Sequence, residues 1–265
     1  MTSRDILIYL ALQYQGDYER IVDAVHLKTF NRDPETDQRF QSLRCKTVTI
    51  LDPDYPPAIA DAIRPPFVLF YEGNLGLLQE PHRCITVVGS RHASDYAMEE
   101  TRRLSAELAS DGYIIISGLA QGIDTAAHEG AVKYGKTVAI LGNGINRCFP
   151  SSNRDLQQRI RREGLLISEY PPDVHPEGKR FPARNRLLAA CGQGVLCMSA
   201  KQRSGTMVTI AFALHYGKDV GCLPERSTEH NYCNEMIKEG AWLIETKQDV
   251  LDMIYRTPNY NPLKK

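Results

Sequence analysis

The chain has 265 residues, 42% hydrophobic and 24% charged, with 32 Lys or Arg balanced by 32 Asp or Glu. Such a chain buries a sizeable core as one large domain, or one large and one small. Its balanced charge argues against a protein that coats nucleic acid with its whole surface, while leaving room for a local basic groove. No apolar run reaches the roughly 18 to 20 residues of a membrane-spanning helix. The N-terminus MTSRDILIYLALQYQGDYER sets an acid beside a short apolar stretch and offers no small-residue cleavage site, so the expected location is the cytoplasm, without a membrane partner. Seven cysteines with no C-x-x-C pair fit reduced core thiols rather than a disulfide framework or a zinc site, and no metal is expected.

In chain order, residues 1 to 45 read as a small helical module opening with an amphipathic segment, Asp5 to Gln15. A Pro-rich connector, LDPDYPPAIADAIRPPFVLFYEGN, follows. From Cys84 onward, short apolar runs alternate with helix-like segments: CITVVGS, YIIISG, TVAILG, LLISEY, GVLCMSA and DVGCLP. Runs apolar on both faces suit a buried parallel sheet. The intervening segments, several with three-to-four-residue apolar spacing and a closing Gly, read as crossover helices. The expected fold class is therefore α/β, an open, doubly wound, mostly parallel sheet across residues 46 to 255, with its ligand crevice at the carboxyl ends of the strands. Residues 256 to 265 read as a frayed tail.

Four polar loops follow expected strands: VGSRHASD, SGLAQGID, LGNGINRCFPSSN and SAKQRSGT. Each offers glycines and the amides of a following helix to an anion. A nicotinamide enzyme is disfavoured because VVGSRHAS lacks G-x-G-x-x-G, and no G-x-x-x-x-G-K-[ST] marks a P-loop. Asp124 and His128 lie four apart on one helix face, a spacing compatible with acid-base work. With no nucleophile or metal beside them, Asp124 is expected to hold backbone amides and His128 to support the loop. Ser117 and Ser204 sit outside a G-x-S-x-G elbow and suit phosphate or backbone contact.

The stretch Gly178 to Thr206 carries six Lys or Arg and no acid. A solvated helix face mixes both signs. Lys179, Arg180, Arg184 and Arg186 open one helix, and Lys201 and Arg203 leave the next strand on the same edge as Arg91. Such a cluster repels itself unless a polyanion, a nucleotide or a nucleic-acid backbone, sits among it. Phe181 and Tyr170 lie where they could stack bases.

The blocks VVGSR, SGLAQGIDTAAHEGA, TVAILGNGINRCFPSSNRDL, GLLISEYPP, FPARNRLLAA, RSGTMVTIAFALHYGKDV and NEMIKEGAWLI stand in the order and spacing of the DNA-processing protein A family, DprA/Smf, which the chain resembles from about Tyr55 to Leu251. The resemblance implies an extended Rossmann-like fold that binds single-stranded DNA, forms homodimers and loads the recombinase RecA in natural transformation, with no catalysis, cofactor or metal. It places DNA contacts at Arg91, at Arg184, Asn185 and Arg186, and at Arg203, Ser204 and Gly205. A family Lys falls on Gly178, with Lys179 or Arg180 as its substitute. The loop LPERSTEHNYCNEM lacks a family Gly. The face for self-association and RecA falls on Leu214, Asn234, Ile237 and Leu243. On this basis Arg91→Ala and Arg186→Ala should each weaken DNA binding and leave the fold intact. The rival is a nucleotide-binding enzyme or sensor of the lysine-decarboxylase-like phosphoribohydrolase type. Its PGGxGTxxE signature requires a Glu near where Val208 and Thr209 stand.

Overall fold

The computed structural model describes residues 1–226 and 231–255. The expected tail 256–265 and the middle of the LPERSTEHNYCNEM loop lie outside the described residues. Three helices open the chain: α1 (Ser3–Gln13), α2 (Tyr18–His26) and α3 (Pro34–Gln41). Thr2 and Asp5 form a reciprocal capping box on α1, and Asp17 and Asp33 cap the next two, so each helix start is written locally in the sequence. Helix α1 is not amphipathic in place. Leu7 to Leu12 are all buried, because α1 lies between the other helices and the sheet residues Val68 and Phe70.

Among the described residues nine strands form one sheet in the order β1-β2-β6-β5-β4-β3-β7-β8-β9. The six expected runs supply β3 (Cys84–Gly89), β4 (Ile114–Ser117), β5 (Thr137–Leu141), β6 (Leu165–Ser168), β7 (Gly194–Ser199) and β8 (Asp219–Cys222). All six are parallel, with β9 (Trp242–Leu243) added in parallel beside β8. The segment read as a connector, with the residues just before it, holds more structure than expected. β2 (Val68–Gly73) pairs antiparallel with β6, β1 (Lys46–Thr49) pairs antiparallel with β2, and between them lies the short α4 (Pro57–Ala60).

The strands bury both faces, and successive residues serve opposite layers. Ile85 and Val87 of β3 pack against α5 (Asp95–Ser110), α6 (Ile123–Val132) and α11 (Lys247–Tyr255). Cys84 and Val88 join the other layer with α8 (Arg180–Cys191), α9 (Gly205–His215) and α10 (Cys233–Lys238). The helix α7 (Arg154–Glu163) covers β5 and β6 on the first side through Leu156 and Ile160. Each buried Leu or Ile contributes about 1.5–3 kcal/mol relative to exposure, so this two-sided burial dominates the stability of the domain.

The order of the strands also locates a crevice. From β3 the chain winds outward through β4 and β5 to β6, then returns across the sheet by α8 to place β7 on the other side of β3. The loops after β3 and β7 therefore leave toward opposite layers, and a gap opens between them at the carboxyl ends of the strands.

Candidate nucleic-acid interface

At that gap lies a crevice of about 600 Å³, lined among others by Arg91, Phe149, Phe181, Arg184, Asn185 and Lys201. Its floor is held by backbone contacts that only glycine permits. Gly122 (φ +82°) presses against the β3–α5 loop so closely that a Cβ would lie 2.3 Å from the Ser90 carbonyl oxygen, and the Ile123 amide donates to that carbonyl at 3.2 Å. This contact fixes the loop carrying Arg91. The Arg91 guanidinium is exposed and stands 5.8 Å from the centre of the Phe181 ring, which in turn lies 5.4 Å from the exposed ring of Phe149. Phe149 carries no marker in the sequence except its place beside Pro150 in the third polar loop.

Asp124 is buried at the start of α6 and accepts from the amides of Gly118 (3.2 Å) and Ala120 (3.3 Å). Burial raises its pKa, and the nearby Arg184 charge and these amides pull it back. His128 is fully buried, and its Nδ1 meets the Thr137 hydroxyl at 2.7 Å. Burial, reinforced by the Arg184 charge, pushes its pKa down to about 3. His128 thus ties α6 to β5 rather than to the loop. Ser117 is buried and its hydroxyl donates to the Val87 carbonyl at 2.7 Å.

The six cations of the acid-free stretch separate. Arg184 is buried at the back of the crevice and donates to the carbonyls of Gly118, at 2.9 Å, and Ile140, while its Nε reaches Asn185 Oδ1 at 3.3 Å. A Cβ on Gly118 would lie 2.5 Å from that guanidinium. Burial lowers its pKa, and the Asp124 charge works in the opposite sense. Arg186 does not face the crevice. It is buried, bound to both oxygens of Glu169 at 2.8 and 2.6 Å, and donates to the carbonyls of Ile63, Arg64 and Ala183. Arg180 folds back onto the His175 carbonyl (2.6 Å), Glu177 (2.9 Å) and the ring of Tyr170. Arg180 and Arg186 thus pair with acids of this protein, Glu177 and Glu169, whereas Arg184 lines the crevice with its Nε and Nη1 on backbone and Asn185 oxygens. Tyr170 is buried beneath Arg180 and is closed to base stacking; burial raises its hydroxyl pKa.

Lys201 is exposed at the crevice mouth, and Lys179 is exposed at the start of α8, 3.3 Å from Glu177. Arg203 is exposed but lines a separate shallow groove along α9, with Met207, Ala211 and Phe212. Ser204 and Gly205 do reach the crevice. The Ser204 hydroxyl donates to the Lys201 carbonyl at 2.8 Å, so α9 begins without a side-chain cap on its first amides. Asn185 Nδ2 donates to the Gly205 carbonyl at 3.1 Å, clamping α8 to the start of α9. A Cβ at Gly205 or Gly178 would meet nothing within 4 Å, which leaves open space along this rim.

The four positions assigned to self-association also divide. Leu214 and Leu243 are exposed large apolar residues. Ile237 is half-buried against the core, and the Asn234 amide is committed to the backbone of Glu225, accepting from its N–H at 3.0 Å and donating to its carbonyl at 2.7 Å. All seven cysteines are unpaired. Among the described residues, the metal-ligating side chains that converge are Cys197, Cys222 and Cys233, which do not line the crevice. No helix among the described residues is long and apolar enough to cross a membrane.

Comparison with known proteins bears on the fold and the family. The family model of DNA recombination-mediator protein A matches residues 46–255. The DNA processing protein DprA of Streptococcus pneumoniae is 38% identical over 237 residues, spanning 88% of this chain and 79% of that protein. The X-ray structure of DprA from Streptococcus pneumoniae superposes with a TM-score of 0.77 at 33% identity, covering 93% of this chain and 92% of that one. A Helicobacter pylori DNA processing protein A, whose structure describes a single-stranded DNA binding mode, superposes with a TM-score of 0.72 at 31% identity over 80% of this chain and 97% of that one. With a family model over residues 46–255 and relatives matched across most of its length, the chain belongs to the DNA recombination-mediator protein A family, DprA/Smf.

Proposed function

We propose that the protein binds single-stranded DNA along the crevice and acts without catalysis or cofactor. The observation that carries this reading is the pairing of exposed cations with aromatic rings lining one crevice: Arg91 and Lys201 beside the exposed Phe149 and the half-buried Phe181. Phosphates would be gripped by Arg91, Lys201, Lys179 and the uncapped amides opening α9, and bases would stack on the two Phe rings. Arg184, Asn185 and Arg186 hold this rim in shape. An enzymatic site is poorly supported, because Asp124, His128 and Ser117 are buried and engaged with backbone or Thr137, and Thr209 stands where a phosphoribohydrolase needs an acid.

Two further parts of the reading rest on the family. The exposed apolar residues Leu214 on α9 and Leu243 on β9 are proposed to form a homodimer and to be the face through which RecA is loaded onto DNA in the cytoplasm during natural transformation. A dimer joins two grooves and raises the effective affinity for long strands.

The test is fluorescence anisotropy of a labelled single strand, a matched duplex and free nucleotides across a salt series. Three phosphates met by Arg91, Lys179 and Lys201 give a log–log salt slope of about −2, against about −5 if Arg91 and all six cations of the acid-free stretch took part. Tight binding of a mononucleotide with little affinity for the strand would overturn the reading in favour of a nucleotide sensor or enzyme.

A further inference from the structure

Cys197 and Cys222 occupy registered positions on the neighbouring parallel strands β7 and β8 and point into the same layer. Such neighbours stand about 4.8 Å apart across a sheet. Cys233, the first residue of α10, is lowered onto this pair from above, its sulfur 3.7 Å from that of Cys197. All three residues are fully buried, and their sulfurs lie within 4.8 Å of one another. Among the described residues no His, Asp or Glu joins them.

We infer that this tripod is a binding site for one soft, thiol-seeking cation of the Cu(I) class. Metal–thiolate bonds are about 2.3 Å long, so a three-coordinate centre requires sulfurs about 4 Å apart, the spacing the fold already provides. Three sulfurs with no oxygen or nitrogen donor select a soft ion and leave Zn(II) short of its fourth ligand. Each cysteine that ligates as thiolate releases one proton to solvent, and the metal keeps its oxidation state.

The second layer around the sulfurs is already organised. Asn231 Oδ1 accepts from the amides of Ala200 and Cys233, both at 3.0 Å, while its Nδ2 donates to the Ser199 hydroxyl at 3.1 Å and Glu225 at 2.7 Å. An ion on the three sulfurs would therefore pin α10, with Asn234 and Ile237, to the strand that leads into the Lys201 loop. Metal occupancy would couple the proposed self-association face to the rim of the crevice.

The experiment is an anaerobic titration of the reduced, full-length protein with Cu(I) against a competing chelator, with Zn(II) as a parallel arm and X-ray absorption at the copper edge. The expected result is one Cu(I) per chain, three sulfur neighbours at about 2.3 Å, and at least about tenfold weaker uptake in Cys222→Ser and Cys233→Ser. The double variant Cys45→Ser/Cys148→Ser, which removes the two partly exposed thiols, should bind as the parent does. The proposal is overturned by any of four results: no uptake against the chelator, uptake indifferent to Cys222 and Cys233, a four-coordinate Zn(II) site held in preference, or five free thiols instead of seven in air-exposed denatured protein. If the serine variants fail to fold, the absorption spectrum of the parent decides by its sulfur count.

Discussion

The Arg186 guanidinium lies on both oxygens of the Glu169 carboxylate, at 2.8 and 2.6 Å, with both side chains almost entirely removed from solvent. Burial opposes the Arg186 charge, but the hydrogen bonds and charge of Glu169 outweigh it, and its pKa ends above the ordinary value. The same guanidinium holds the carbonyls of Ile63 and Arg64, so it ties the segment ahead of β2 to α8.

Replacing Arg186 with Ala therefore destabilises the protein, contrary to the sequence-based expectation of an intact fold. The loss is about 3–5 kcal/mol, because Glu169 is left buried without its partner. Urea unfolding measures it. The double variant Arg186→Met/Glu169→Leu should recover the part of the loss that comes from the stranded Glu169 charge, while the Ile63 and Arg64 carbonyls still lack their donor.

In the proposed DNA complex Arg91 and Phe149 would act by different physics, and a salt series separates them. Arg91→Ala should lower the magnitude of the single-strand salt slope by about 0.7, one phosphate contact. Phe149→Ala should weaken binding by about 1–3 kcal/mol per stacked base and leave the slope unchanged. Equal slopes for both variants would place Arg91 outside the phosphate path.

His128 makes the fold sensitive to mild acid. Its folded pKa of about 3 lies below the ordinary 6.5, so between these values the unfolded chain binds a proton that the folded chain refuses. Stability contributed by neutral His128 is complete above about pH 6.5 and falls as pH drops toward 3. Between about pH 7.5 and pH 5 the loss is about 2 kcal/mol. Denaturant melts at the two pH values should show it, and His128→Leu should lack this component. A parent and variant with parallel pH profiles would contradict it.

Leu214 and Leu243 project apolar surface at 63% and 45% exposure, whereas Asn234 is committed to Glu225. Leu214→Glu and Leu243→Glu should each convert dimer to monomer in light scattering, with thermal stability changed by less than about 0.5 kcal/mol as expected for surface positions. Asn234→Ala should instead lower stability by about 1–3 kcal/mol, because it leaves the Glu225 amide and carbonyl without their partner. A dimer that survives both Leu variants would remove α9 and β9 from the proposed interface.

The sequence by itself determined the six parallel strands, their crossover helices and the edge at which the polar loops gather. These follow from apolar runs and helical spacing within windows of about ten residues, where the chain's own period selects the element. It also placed Arg91 and Lys201 at that edge, because a residue just past a strand must emerge at its carboxyl end. Tertiary structure alone decided which cations remain available. Glu169 is 17 residues from Arg186, and the Gly118 carbonyl is 66 residues from Arg184, so the absence of acids in one stretch said nothing about acids and carbonyls brought in from other elements. Glu177, immediately before that stretch, pairs with Lys179 and Arg180 through proximity along the chain. The edge strand β1 and its neighbour β2 were hidden around a Pro-rich segment, and Cys197, Cys222 and Cys233 were brought together by strand register and by the docking of α10. Element type is a local property of the chain, whereas a charge's partner and a thiol's neighbours depend on how distant segments pack.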